Sequence, residues 1–214
     1  MKEQFWYKRT SWSKEDREDY FSHLKKARGN APIYIQIQAE ILQQSGDTRL
    51  IDAALELLEI SIKEWPNDLL LPQIYLQKAQ CLASQGKISE VVTAFRNSIE
   101  ANRTRPHIQT EARSMFALFV LKNELTEYYS EILSLLKESK NIMIFPIQKF
   151  LIDATSAILL DYEGNKSSAM FYAQSALKAC NINNSGLLRR STLGLVKNPE
   201  DWIINHLNKI AGIE

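Results

Sequence analysis

Apolar residues recur along this chain at helical spacing, and one set of offsets appears four times. Ile51, Ala54, Leu55, Leu58 and Ile62 share their spacing with Ile88, Val91, Val92, Phe95 and Ile99, and with Leu125, Tyr128, Tyr129, Ile132 and Leu136. Lys166, Ala169, Met170, Ala173 and Leu177 keep the register with one polar substitution. Steps of 37, 37 and 41 residues separate the copies. A period of this size predicts stacked helical hairpins, because a single hairpin cannot bury its apolar face alone.

Each copy follows a residue suited to the left-handed conformation that ends a helix, namely Gly46, Gly86, Asn123 and Gly164. Counting back from those turns gives a partner helix in every unit. Ile35, Ala39 and Leu42 precede Gly46, and Tyr75, Ala79 and Leu82 precede Gly86. Ala112, Phe116 and Phe119 stand before Asn123, and Ala157 and Leu160 before Gly164. The preceding helix of each pair is called A and the following one B. Pro32, Pro72, Pro106 and Pro146 fall near the starts of the A helices, where a missing N–H is tolerated, and Pro66 closes the first B helix. Asp153 and Lys166 interrupt the fourth unit, so weaker packing is expected there.

These residues resemble the tetratricopeptide repeat family, whose helix-turn-helix unit is about 34 residues long. The best unit reads Tyr75, Ala79, Leu82, Gly86, Val91, Phe95 and Ser98. The first has Ile35, Ala39, Leu42, Gly46, Ala54, Leu58, Ser61 and Pro66, and the fourth Ala157, Leu160, Gly164, Ala169, Ala173 and Ala176. The likeness covers residues 31–182 and departs from the family in its longer period, its longer first turn and Tyr128 in place of a small residue. It implies an all-α fold, a right-handed superhelical stack of about four antiparallel helix hairpins with terminal capping helices.

One continuous domain is expected: residues 1–30 as an aromatic segment and capping helix, 31–182 as the repeats, and 183–214 as a loop and capping helix. Ser13-Lys14-Glu15-Asp16 reads as a capping box opening a helix to about Arg28, with Tyr20, Phe21 and Leu24 on one face. Asn198-Pro199-Glu200-Asp201 starts a last helix carrying Trp202, Ile203, His206, Leu207 and Ile210 as its apolar stripe. The Asn-, Ser- and Gly-rich stretch 181–197 reads as loop.

Charge adds little direction. With 26 Lys and Arg against 25 Asp and Glu, the net charge of +1 gives no field that would steer nucleic acid or an anionic membrane. Cys81 and Cys180 lie in separate helical patterns and read as small hydrophobes in a reducing compartment. The N-terminal residues lack the apolar run of about 7 to 15 residues that a secretory signal needs, and no window approaches a membrane span. A cytoplasmic location is expected, so the Asn-x-Ser/Thr triplets at Asn102, Asn165 and Asn183 carry no glycosylation meaning.

No arrangement of residues points to catalysis. His23, His107 and His206 fall in three segments without a second metal ligand at suitable spacing. Glu15, Asp16, Glu18 and Asp19 alternate with Lys14 and Arg17 as a solvated helix face does. The sequence carries no phosphate-cradling glycine loop, nucleophile elbow or Cys-x-x-Cys pair. A non-enzymatic role with no cofactor and no metal is expected.

The favoured function is binding of another protein or peptide on the inner, concave side of the repeats. Beside the packing positions stand Gln36, Glu40 and Gln43 in the first unit, Gln73 and Gln80 in the second, and Thr110 and Arg113 in the third. These form an amide-rich lining suited to peptide hydrogen bonding. Glutamine and glutamate as ordinary helix formers explain the same residues equally well. Neutralising a toxin, as an immunity protein does, is one specific version of the role. A rival function uses Phe5, Trp6, Tyr7 and Trp12 with Lys2, Lys8, Arg9 and Lys14 as a nucleic-acid arm, against the simpler reading that the rings plug the first hairpin. Arg189-Arg190-Ser191-Thr192 reads as a phosphate contact or phosphorylation site, or simply as a solvated loop. No membrane partner is expected, nucleic acid is disfavoured, and self-association through an uncapped repeat face is a third reading.

Overall fold

The computed structural model describes residues 5–108, 110–139 and 145–213, with the side chains of Arg28 and Ser139 left aside. Among the described residues the chain is all-helical, with ten α-helices packed against one another and no strand. None of these helices is long and apolar enough to cross a membrane. The helices fall into two compact units, residues 1–112 and 113–214.

The first unit holds α1 (Lys14–Leu24), α2 (Ala31–Gln44), α3 (Thr48–Glu64), α4 (Leu71–Ser84) and α5 (Ile88–Thr104). Helices α2 and α3 form the first hairpin, α4 and α5 the second, and α3 packs on α4 between them. Pro32 and Pro72 stand in the first turns of α2 and α4, and Trp65 caps α3 just before Pro66, as the sequence predicts. The register of buried residues also matches: Ile35, Ala39, Leu42, Ala54, Leu58, Ala79, Val91 and Phe95 are all inaccessible or nearly so. Ile88 departs from it at 41% exposed, because it is the first residue of α5 and lies at the hairpin tip. Ser98 Oγ donates to the Pro72 carbonyl at 2.7 Å, fastening the middle of α5 to the start of α4.

The N-terminal aromatics close this unit. The Trp6 ring lies 4.9 Å from Tyr34, 5.3 Å from Tyr20 and 5.5 Å from His23, and Tyr7 meets Tyr34 at 4.7 Å. Trp12 packs on Tyr20 at 5.2 Å, while Phe5 stays outside under Lys8. The backbone of Arg9 is held from both sides by buried Gln38, whose Oε1 accepts from the Arg9 N–H at 2.8 Å and whose Nε2 donates to the Arg9 carbonyl at 2.7 Å. Its guanidinium pairs with Asp16 at 2.8 Å and with Asp19. Trp6, Tyr7 and Trp12 thus pack against the core of this unit, and Phe5 does not. Lys2 lies outside the described residues.

The Ser13–Asp16 capping box forms as predicted, but α1 ends at Leu24 and a separate 3₁₀ turn follows at Arg28–Asn30. Hydrogen bonds from the Ser11 hydroxyl and the Ser13 N–H, then the Arg9 charge, hold the Asp16 carboxyl below its ordinary value. The Tyr20 ring is fully buried, and burial drives its phenol far above its usual range. Among the described residues its hydroxyl has no hydrogen-bond partner.

The second unit holds α6 (Ala112–Lys122), α7 (Tyr129–Ser139), α8 (Pro146–Tyr162), α9 (Lys166–Cys180) and α10 (Asp201–Ala211). Pro106 does not open α6, which begins six positions later at Ala112. The left-handed residue of the third turn is Glu124, with φ 52°, rather than Asn123. The amide that follows the left-handed residue bonds back five positions in each of three turns: Lys87 to Leu82, Leu125 to Val120 and Asn165 to Leu160. Gly86 and Gly164 occupy the strained place in two of them, and glutamate occupies it in the third. A 3₁₀ turn at Thr126–Tyr128 then delays α7, leaving Leu125, Tyr128 and Tyr129 only half-buried.

The α8–α9 pair corrects the expectation of weak packing. Helices α8 and α9 pack closely along Ala154, Ala157, Ala173 and Ala176, all inaccessible to solvent. Its two polar positions stay out of that contact. Asp153, though buried, pairs with Lys149 of its own helix at 2.6 Å, and exposed Lys166 pairs with Asp161 at 2.7 Å. Met170 is exposed because the alanine row takes the packing side of α9. Helix α10 lays Ile203, Leu207 and Ala211 over α8 and α9. The loop before α10 is drawn in by Gly194, whose carbonyl accepts from the Ile147 N–H at 2.9 Å. At φ 71° a side chain there would be strained and would collide with Phe145.

Two outcomes test this reading of the first unit. Tyr20→Phe keeps the ring and removes a hydroxyl that lacks a partner, so equilibrium denaturation is expected to show unchanged or higher stability, by up to about 1 kcal/mol. A clear loss would mean that the hydroxyl is bonded. Asp16→Asn removes the reciprocal cap and is expected to cost about 1 kcal/mol at pH 7. Because the folded carboxyl titrates below its unfolded value of about 3.9, its stabilisation is present above that pH and lost as pH falls through the lower folded value. The gap between variant and wild type in thermal melts therefore closes on acidification; a gap independent of pH contradicts the assignment.

Candidate functional site

The residues expected to line a groove divide between the two units. Gln36, Glu40 and Gln43 lie on α2, with Gln36 and Gln43 half-buried and Glu40 exposed and accepting from Gln44 Nε2 at 3.3 Å. Gln73 and Gln80 lie half-buried on α4. Gln77, four residues after the first and three before the second, falls on the same stripe of α4. Its Nε2 donates to the Gln36 carbonyl at 3.3 Å. That bond sets Gln77 of α4 against the backbone of α2 at Gln36.

The other two are employed differently. Thr110 precedes α6 rather than lying on it, and its hydroxyl bonds Asn102 Oδ1. Asn102 also donates to the Ile108 carbonyl, so the segment after α5 is tied back to that helix and α6 cannot start at Pro106. Arg113 belongs to the second unit and pairs with Glu138 of α7 at 3.6 Å. Thr110 is thus engaged by Asn102 and Arg113 by Glu138.

The second unit carries a feature that the repeat pattern does not reveal. A cleft of about 540 Å³ opens where the end of α6, the start of α7, the end of α8 and the outer side of α10 converge. That volume falls within the range of roughly 300–1,000 Å³ usual for ligand pockets. Its walls are aromatic: Tyr129 meets Tyr162 edge-on at 4.9 Å, and Trp202 meets His206 edge-on at 6.1 Å. Lys122, Glu124 and Asp161 complete the polar part. Burial, then Tyr162, then the charge of Glu124 raise the Tyr129 phenol, which stays protonated at neutral pH. In the sequence Trp202 and His206 read only as a cap stripe and Tyr129 as a packing position. The aromatic residues at the ends of three separate helical patterns were the available signal.

The thiols are poor nucleophiles. Burial pushes Cys81 up to about 12 and raises Cys180 as well, so neither forms appreciable thiolate at neutral pH. Among the described residues, no three His, Cys, Asp or Glu side chains are grouped so as to hold a metal ion. No family model, no curated protein and no solved structure matches this chain.

Proposed function

We propose that this chain is a non-enzymatic interaction module that binds a partner protein or an extended peptide along the A-helix faces of its hairpins. The observation that supports the reading is the Gln77–Gln36 bond, which sets α4 against α2 at the stripe that carries Gln36. Half-buried amides at Gln36, Gln43 and Gln73 offer both donors and acceptors on a rigid surface, the form that peptide recognition uses. The tetratricopeptide-like, right-handed superhelical order implied by the resemblance belongs to this proposal, as does the more specific role of neutralising a toxin in the manner of an immunity protein. Burial of Trp6, Tyr7 and Trp12 against the first core, and the hold of Asp16 and Asp19 on Arg9, favour the protein-binding reading over a nucleic-acid arm.

The test compares wild type with Gln36→Ala, Gln73→Ala and Gln80→Ala combined, in capture of a partner by tagged protein. Arg113 is left intact because its ion pair supports α6 on α7. Capture is expected to fall at least about tenfold while helicity and melting temperature stay near wild type. Undiminished capture of the same partner would refute the reading.

A further inference from the structure

The aromatic cleft of the second unit has a charge pattern that singles out one kind of ligand. Lys122 pairs with Glu200, and that carboxylate also accepts from Trp202 Nε1 at 3.1 Å. Lys166 pairs with Asp161 at 2.7 Å. Both lysines near the cleft are thus neutralised. Glu124 remains as a lining carboxylate with no basic partner among the described residues. His206 Nδ1 lies 3.1 Å from the Trp202 carbonyl, which can only accept, so Nδ1 donates there and Nε2 is not used in that bond. Aromatic faces and an unpaired carboxylate both attract a cation, and anions find no unpaired positive group among the described lining residues.

Glu124 itself is the second sign. The other three hairpin turns place glycine at the left-handed position, with φ of 72° at Gly46, 70° at Gly86 and 82° at Gly164. Only at the cleft does a side chain stand there, at the cost that a left-handed backbone imposes on any residue with a Cβ. Strain of this kind persists where a side chain is needed in place.

We propose that the cleft binds a guanidinium cation, carried by an arginine side chain of a peptide or by a small guanidinium compound. A guanidinium is planar and weakly hydrated, stacks on tyrosine and tryptophan faces, and presents N–H groups in a fork that matches a carboxylate. A lysine ammonium has the charge without the plane. The site uses none of the α2 and α4 residues, so it stands or falls apart from the function proposed above.

Titration calorimetry on the full chain tests it, with N-acetyl-arginine methylamide, its lysine and citrulline counterparts, and free arginine as probes. Both arginine compounds are expected to bind, with the neutral citrulline compound at least about tenfold weaker and the lysine compound weaker than arginine. Tighter binding of the capped residue points to a peptide source, and tighter binding of free arginine to a small molecule; either supports the site. Glu124→Gly relieves the backbone strain, so this variant is expected to melt higher than wild type while losing at least about fivefold in affinity. Glu124→Gln is expected to lose affinity similarly, with unchanged helicity. Absence of arginine binding at about 10 mM, equal binding of citrulline or lysine compounds, or wild-type affinity in Glu124→Gly would overturn the proposal.

Discussion

Two helices approach until their facing side chains touch, and in both units of this chain alanine sets that limit. Ala39 and Ala54 are inaccessible in the first hairpin, Ala79 and Ala94 nearly or wholly so in the second, and Ala154, Ala157, Ala173 and Ala176 in the α8–α9 pair. With so little side chain between them, neighbouring backbones bring larger residues such as Leu42, Leu58 and Phe95 into interlocking contact on either side. Inserting extra volume at such a position costs about 1–3 kcal/mol by overpacking. The hairpins depend on that close approach.

Helices α6 and α7 depart from this. α7 offers Ile132, Leu135 and Leu136 to the core and no alanine, and the turn before it takes the left-handed conformation on Glu124 instead of glycine. A 3₁₀ turn then delays the helix and leaves Tyr129 half-buried beside Tyr162. In this unit the delayed start of α7 and the aromatic cleft are the same feature.

Much of the fold was legible because its signals are local. The offsets of Ala39, Ala79 and Ala157 before glycine, the prolines at helix starts and the Ser13–Asp16 box each act within a few residues, and each has the structural consequence the chemistry predicts. The misplacements arose where tertiary ties decide a boundary. Asn102 holds the Ile108 carbonyl and Thr110, so α6 starts late and Pro106 stands in a loop. The polar substitutions Asp153 and Lys166 looked damaging along the chain, yet ion pairs with Lys149 and Asp161 keep them out of the alanine contact. That Gln36, Glu40 and Gln43 share one face of α2 could be read from spacing, since i, i+4 and i+7 fix one helix face. The cleft could not, because its walls come from four segments that only folding brings together.

The central claim is that partners are held on A helices rather than B helices of the first unit. Site-specific photo-crosslinking addresses it most directly, with a photoreactive residue placed singly at Gln43 on α2, at Gln73 on α4, and at exposed Thr93 on the B helix α5. The account predicts that one and the same partner is trapped from positions 43 and 73 and not from 93. Trapping from Thr93 alone, or equally from all three positions, would contradict it.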